Sequence, residues 1–231
     1  DLDKPYYAKF ITLTHHYPFI LNNDEDVMID PAETGDGTVD RYFQTMRYQD
    51  ESVKKFMEMM KEQGEYEDTI FIMYGDHYGI SDNHNRAMGD LMDKEIRTFE
   101  EAQFQEVPLI IHIPGEEGKE MKTVGSQVDL KPTILNLLGI EAGNDVQFGV
   151  DLFAKDREDI AIFRDGTVVT DEHVYSAKDG SCYDKETEEE IDGETCAPLK
   201  EKAEKELEYS DKVVHGDLLR FLDQNQDIEG K

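Results

Sequence analysis

Asp76 and His77 stand side by side in the segment Ile70-Phe-Ile-Met-Tyr-Gly-Asp-His-Tyr-Gly-Ile-Ser-Asp-Asn-His84, where the chain turns from apolar to polar. A carboxylate offers a hard oxygen and a neutral imidazole a borderline nitrogen. Together they suit Zn2+ or Mn2+ better than Ca2+ or an iron–sulfur cluster. A catalytic centre of the zinc type takes about three protein ligands plus a water or substrate atom, so this segment supplies only part of one. The plain alternative is an Asp-His pair in a solvated loop, and its place after an apolar run weighs against that. His15 and His16 put two more imidazoles after a second apolar run, Ala8-Lys-Phe-Ile-Thr-Leu-Thr14. One of these two is expected to do no more than hydrogen-bond backbone in its turn.

The elements that must position these groups follow from periodicity. Ile70–Tyr74 is a continuous run of β-branched and aromatic residues, which predicts a strand buried on both faces, as in a parallel sheet. Ligands in open α/β sheets bind in the crevice outside the carboxyl ends of strands. If Ala8–Thr14 is a parallel neighbour, His15 or His16 approaches Asp76 and His77 there. Between the two runs, Val39, Tyr42, Phe43, Met46, Val53, Phe56, Met57 and Met60 keep a helical period from Thr38 until Gly64. This predicts a crossover helix whose Met and aromatic stripe is core packing, completing a β-α-β unit. Pro18 biases Tyr17 to an extended conformation and keeps that loop from starting a helix.

Further on, a helical stretch from Arg86 to Glu101 leads to a third strand, Val107–Ile113, with His112 inside it as a packed histidine. A short helix from Lys131 to Leu138 is signalled by Pro132 in its first turn and Gly139 after its end, with Asp129 or Leu130 near the N-cap. Asp129 is thus a cap first and a site candidate only weakly. After Asp159 the apolar segments become short and alternating, separated by Asp165-Gly166, Asp171-Glu172 and Asp179-Gly180. This is an antiparallel meander pattern. One amphipathic helix over Ala197–Leu222 is expected to face it through Leu199, Ala203, Leu207, Val213, Val214, Leu218, Leu219 and Leu222. Asp223-x-Asn225-x-Asp227 lacks the glycine and terminal Glu of a Ca2+ loop and is rejected as one.

A chain of 231 residues with 38% hydrophobic residues, 11 Tyr and 11 Phe can build a real core as one large or two small domains. Its 54 acidic residues against 24 basic ones give a formal charge of −30. That excludes nucleic acid as a partner and requires local positive charge or a metal for any anionic substrate. No apolar run approaches the ~20 residues needed to cross a bilayer, and the opening Asp1-Leu-Asp-Lys-Pro5 reads as a start within a domain. Cys182 and Cys196 lack the spacing of a zinc or redox pair and are expected to form a disulfide if the protein is extracellular.

Three segments, Leu13-Thr-His-His-Tyr-Pro-Phe19, Tyr74-Gly-Asp-His-Tyr-Gly-Ile-Ser-Asp-Asn-His-Asn85 and Gln127-Val-Asp-Leu-Lys-Pro-Thr-Ile-Leu-Asn-Leu-Leu-Gly-Ile140, closely resemble the extracellular domain of the lipoteichoic acid synthases. Those are phosphoglycerol transferases of the sulfatase and alkaline-phosphatase-like superfamily in Gram-positive bacteria. The resemblance covers nearly the whole chain. It implies an α/β fold, a mostly parallel sheet flanked by helices, with a small C-terminal antiparallel sheet plus long helix. Residues 1–159 correspond to the C-terminal half of the catalytic domain and residues 160–231 to a small α+β subdomain.

In that family a single Mn2+ (Mg2+ and Zn2+ are the alternatives) is held by a Glu, a Thr nucleophile, and the Asp and His that fall on Asp76 and His77. The resemblance places His16 against the phosphate of the phosphoglycerol and Ser81 beside its glycerol. The Glu, the Thr nucleophile and further phosphate-binding residues lie upstream of residue 1, so this chain is expected to hold no nucleophile and to be inactive alone. The implied reaction is attack of Thr on the phosphate of phosphatidylglycerol, then transfer from Thr to a growing glycerolphosphate polymer. The implied location is the extracellular face of the cell membrane, anchored through the N-terminal part of a parent protein or released from it. A sulfatase-like hydrolase with water as acceptor and a non-catalytic surface fragment are the alternative readings.

Overall fold

The computed structural model describes residues 4–141 and 146–221. They form two compact units, Asp1–Ile96 with Phe104–Gly118, and Arg97–Gln103 with Lys119–Lys231.

The first unit is built on the long helix α1, Gly37–Glu62. Asp36 caps it by accepting from the amides of Thr38 and Val39, two of the donors that a helix start leaves unpaired. Gly64, at φ +74°, ends it in the left-handed conformation open to glycine. The core here is Phe19, Val39, Ile80 and Ala87, with Tyr42, Phe43 and Met88 packed against it. Strand β1, Phe71–Tyr74, precedes helix α2, Asn85–Met92. The helix expected over Arg86–Glu101 is broken at Asp93, which adopts φ +51°. Its last residues belong to a separate helix, α3 (Thr98–Gln103), in the second unit.

Strand β2, Leu109–His112, pairs with β1 antiparallel, with Phe71 opposite His112 and Tyr74 opposite Leu109. The expected parallel β-α-β unit is therefore not formed among the described residues. Ala8–Thr14 joins no ladder, and its Phe10, Ile11 and Leu13 are 77%, 70% and 76% exposed. Nor is β1 buried on both faces, since only Phe71 is buried and Tyr74 is exposed. The physical reason is that an apolar run reports a preference for burial but carries no strand direction and names no partner.

The second unit holds α3, helix α4 (Leu130–Leu137), and a five-stranded antiparallel meander. Its strands are β3 (Ile160–Ile162), β4 (Val168–Thr170), β5 (His173–Tyr175), β6 (Cys182–Asp184) and β7 (Glu190–Ile191), each paired with the next. One side of the sheet packs Val169, Val174 and Tyr183 on Phe99 and Ala102 of α3, with Val124 and Phe163 alongside. The other packs Val168, Tyr175 and Cys182 on Ala203 of helix α5, Ala197–His215, and on Cys196 just before it. The composition shift near Asp159 thus lies inside this unit. The apolar contact of α5 with the meander centres on buried Ala203. Further on, Val214 is 68% exposed and Leu218 and Leu219, past the helix end, are exposed, although Asp211 still accepts from Arg164 of the β3–β4 turn at 2.6 Å. Leu222 and the Asp223–Asp227 segment lie outside the described residues. Cys182 and Cys196 are disulfide-bonded with Cα atoms 5.8 Å apart.

Candidate functional site

The loop after β1 leaves the sheet with little room on either side. Gly75 donates its amide to the Pro108 carbonyl at 3.1 Å, and a Cβ on it would lie 2.7 Å from Cβ of Val107. Four residues on, a Cβ on Gly79 would lie 2.3 Å from the ring of Tyr42. Between these two close approaches the chain presents Asp76, His77 and Tyr78 to solvent. Ile80 is buried beyond them and pulls the loop back into the core.

His77 Nδ1 lies 2.7 Å from its neighbour's carbonyl, Tyr78 O. A carbonyl only accepts, so the proton is on Nδ1 and the neutral ring carries its lone pair on Nε2. That Nε2 faces Asp76 Oδ1 at 3.7 Å. His16 repeats the arrangement, with Nδ1 2.9 Å from the Tyr17 carbonyl. The His16 and His77 rings meet edge to face, centroids 5.7 Å apart and planes at 89°. The structure thus brings together three of the four residues singled out by sequence: Asp76, His77 and His16. Ser81, half-buried, lies on the same loop as His77 and begins the turn Asp82–His84, accepting from the His84 amide at 3.0 Å.

His15 faces inward. Its Nδ1 is 2.9 Å from Thr45 Oγ1, and the Thr45 hydroxyl itself is placed to donate to the Arg41 and Tyr42 carbonyls. His15 therefore donates, and burial lowers its pKa below the usual 6.5. Of the two adjacent imidazoles, it is the solvent-facing His16 that bonds turn backbone. Asp129 is wholly structural: its carboxylate accepts from the amides of Ser126 and Val150 at 2.8 Å each and lies 3.9 Å from Arg157. His112 stacks on Tyr66 at 4.3 Å, the packed role expected for it.

Two features were missed by sequence reasoning. His84 Nδ1 lies 2.7 Å from Asp36 Oδ2, on the side of that carboxylate not used for capping α1. The Asp before Gly-Thr-Val was a legible N-cap signal, but its His partner was not. Lys9 lies 5.9 Å from the Tyr74 ring centroid, and its pKa is raised chiefly by a hydrogen bond to Tyr74, with Asp76 among the charges acting on it. A strongly acidic chain thus sets a cation at the end of β1, close enough for Asp76 to act on it.

Residues 1–140 match the sulfatase family. The chain belongs to that family. Its class is accordingly the sulfatase-type α/β fold, and several curated relatives carry a narrower description. It is 44% identical over 226 residues to lipoteichoic acid synthase-like YvgJ of Bacillus subtilis, covering 96% of this chain and 36% of that protein. Lipoteichoic acid synthase of Staphylococcus saprophyticus is 42% identical over 98% of this chain and 35% of its own length. For the lipoteichoic acid synthase of Staphylococcus aureus the identity is 40%, over 95% and 34%. The chain spans about a third of the length of these relatives.

No cluster of three or more His, Cys, Asp or Glu able to hold a metal occurs among the described residues. Asp76 and His77 nevertheless have the right donor chemistry for two positions: a solvent-facing carboxylate and an imidazole whose neutral tautomer, with Nδ1–H on backbone, presents its lone pair at Nε2.

Proposed function

We propose that this chain is the C-terminal part of the catalytic domain of a phosphoglycerol transferase, one that moves glycerolphosphate from phosphatidylglycerol onto a growing lipoteichoic acid chain at the outer face of a Gram-positive cell membrane. The observation that carries the reading is the His16–His77 edge contact beside Asp76, found in a chain similar along nearly its whole length to lipoteichoic acid synthases.

Asp76 Oδ and His77 Nε2 would hold part of a divalent metal site, with Mn2+ the first choice and Mg2+ or Zn2+ the alternatives. When bound, such an ion offsets negative charge developing on a transferred phosphoryl group. Because the Nδ1–H of His16 is already taken by the Tyr17 carbonyl, His16 would donate to a phosphate oxygen through Nε2 in its imidazolium form, and Lys9 would add positive potential at the same strand end. Ser81 supplies a hydroxyl for the glycerol. The nucleophile, a Thr in the resembled family, and its Glu metal ligand come from residues outside this chain, so the chain alone is inactive in this reading.

The test uses the full-length protein containing this chain, with Mn2+ and a fluorescent phosphatidylglycerol. Metal-dependent release of diacylglycerol with growth of a glycerolphosphate polymer is expected, and His77→Ala should abolish it. Release without polymer would point to a hydrolase. Release that survives His77→Ala would overturn the metal assignment.

A further inference from the structure

Both loops that carry the site lean on one side chain that belongs to neither. Tyr42, in the second turn of α1, packs on His15 with ring centroids 4.7 Å apart and edge to face on Phe19 at 5.2 Å. Those two residues bracket His16. The same phenol ring fills the space in which Gly79 would carry a side chain: an added Cβ would meet its Cε2 at 2.3 Å and its Cζ and hydroxyl at 2.9 Å. Gly79 follows Asp76, His77 and Tyr78 directly.

The other ties between α1 and these loops flank the ring. Arg41 Nε donates to the Pro18 carbonyl at 3.1 Å, Thr45 accepts from His15, and Asp36 pairs with His84. Tyr42 touches both loops beside the two imidazoles, through His15 next to His16 and through Gly79 two residues after His77.

We infer that Tyr42 is a positioning residue for the site: a rigid aromatic spacer, held by His15 and Phe19 on one side and by the bare backbone of Gly79 on the other, that sets the edge-to-face approach of His16 to His77. A spacer of this kind acts by shape, because ring carbons in a packed interior yield little before neighbouring backbone has to move. It accounts for the glycine at residue 79 without invoking backbone conformation, since any side chain there would push the His77 loop off the ring. The hydroxyl is not needed for spacing, so phenylalanine should serve as well. This inference rests on the proposed function for its catalytic meaning, although its geometry can be tested without substrate.

The experiment has two arms. In the 231-residue chain with isotope-labelled histidine, the ring-to-ring nuclear Overhauser contact between His16 and His77 is followed in the parent sequence and in Tyr42→Phe, Tyr42→Leu and Gly79→Ala. The contact should persist in Tyr42→Phe and be lost in Tyr42→Leu and Gly79→Ala, with the far-ultraviolet helical signal unchanged. Should Tyr42→Leu unfold α1, Gly79→Ala decides, because it leaves the helix intact and perturbs the same contact from the other side. Persistence of the ring contact in Gly79→Ala, or in a folded Tyr42→Leu, overturns the inference. In the full-length protein, Tyr42→Leu should lower kcat per folded enzyme, normalised by the far-ultraviolet helical signal, about tenfold with KM within about twofold, and Tyr42→Phe should restore it. A full-length protein inactive on phosphatidylglycerol, whose ring contact still disappears in Gly79→Ala, would sink the transferase reading and leave the spacer standing.

Discussion

His84 Nδ1 lies 2.7 Å from Asp36 Oδ2, so the loop carrying the candidate site is tied to the first turn of α1 across 48 residues of chain. Asp36 uses its other oxygen for the amides of Thr38 and Val39. One carboxylate thus starts the helix that supports both site loops and anchors the end of one of them.

Asp36→Ala should cost about 1–2 kcal/mol, the range found for loss of an N-cap, with the lost His84 contact placing it toward the upper end. The His84 hydrogen bond, together with the Thr38 and Val39 amides, holds the Asp36 carboxyl below its ordinary 3.8. Its contribution is therefore complete above that value and is lost as pH falls through the lower folded value. Urea unfolding of the parent sequence and Asp36→Ala at pH 7 and again near pH 3 should show the difference between them shrinking in acid. An equal difference at both pH values would contradict the carboxylate's role.

His15 should make the first unit less stable on mild acidification. Burial lowers its folded pKa below 6.5, so the unfolded chain binds the proton first. Stability then falls as pH drops through about 6.5 and levels off once the folded imidazole protonates too. In His15→Gln the decline in urea midpoint between pH 7 and pH 5 should be shallower than in the parent sequence. An unchanged slope would mean that other groups carry the decline.

How far the sequence disclosed this molecule depended on whether the signal was local. The helix ending at Gly64, the short helix before Gly139 and the order of the meander were all legible from periodicity and turn residues. The Cys182–Cys196 bond was legible only in part, since the spacing set aside a zinc or redox pair but the pairing was expected on the condition of an extracellular location. Strand direction was not, because Phe71–Tyr74 and Leu109–His112 read the same in a parallel or antiparallel ladder. The break at Asp93 was hidden because an aspartate, not a glycine, takes the positive φ. Strand β7 has two residues and no pattern to detect. At the site, residue types and their place after apolar runs pointed to Asp76, His77 and His16. The supports, Tyr42 against Gly79 and Asp36 against His84, join residues far apart in sequence, and no window of the chain contains both members.

Reducing the Cys182–Cys196 disulfide should lower the stability of the second unit by about 3 kcal/mol, the chain-entropy value for a loop of this size. Both cysteines are fully buried in the layer between the meander and α5, where Val168, Tyr175 and Ala203 surround them. Reduction should therefore be slow until the unit opens. Thermal unfolding with and without a phosphine reductant checks this, using the resolved nuclear magnetic resonance signals of the Tyr183 and Phe71 rings as separate reporters of the second and first units. A loss of stability confined to the first unit would be inconsistent with the position of the bond.

The 231-residue chain should bind Mn2+ weakly through Asp76 and His77. Two protein donors fall short of the roughly three that a catalytic centre of this kind takes, so a Kd on the order of 1 mM, about −4 kcal/mol, is expected. Mn2+ at about ten times that Kd would then raise the unfolding free energy of the first unit by about 1.4 kcal/mol. A chain of net charge −30 will also attract cations diffusely, so the comparison needs a control on the same acidic background. His77→Ala removes the imidazole donor, whereas Glu201→Ala removes one exposed carboxylate from α5 in the other unit. Urea midpoints for the first unit, measured with Mn2+ and then with excess chelator, should show a reversible gain in the parent sequence and in Glu201→Ala but none in His77→Ala. Added monovalent salt, which screens the diffuse attraction, should leave most of that gain in place. Equal gains in all three proteins would mean that Mn2+ is held by surface charge alone and would remove Asp76 and His77 as its ligands.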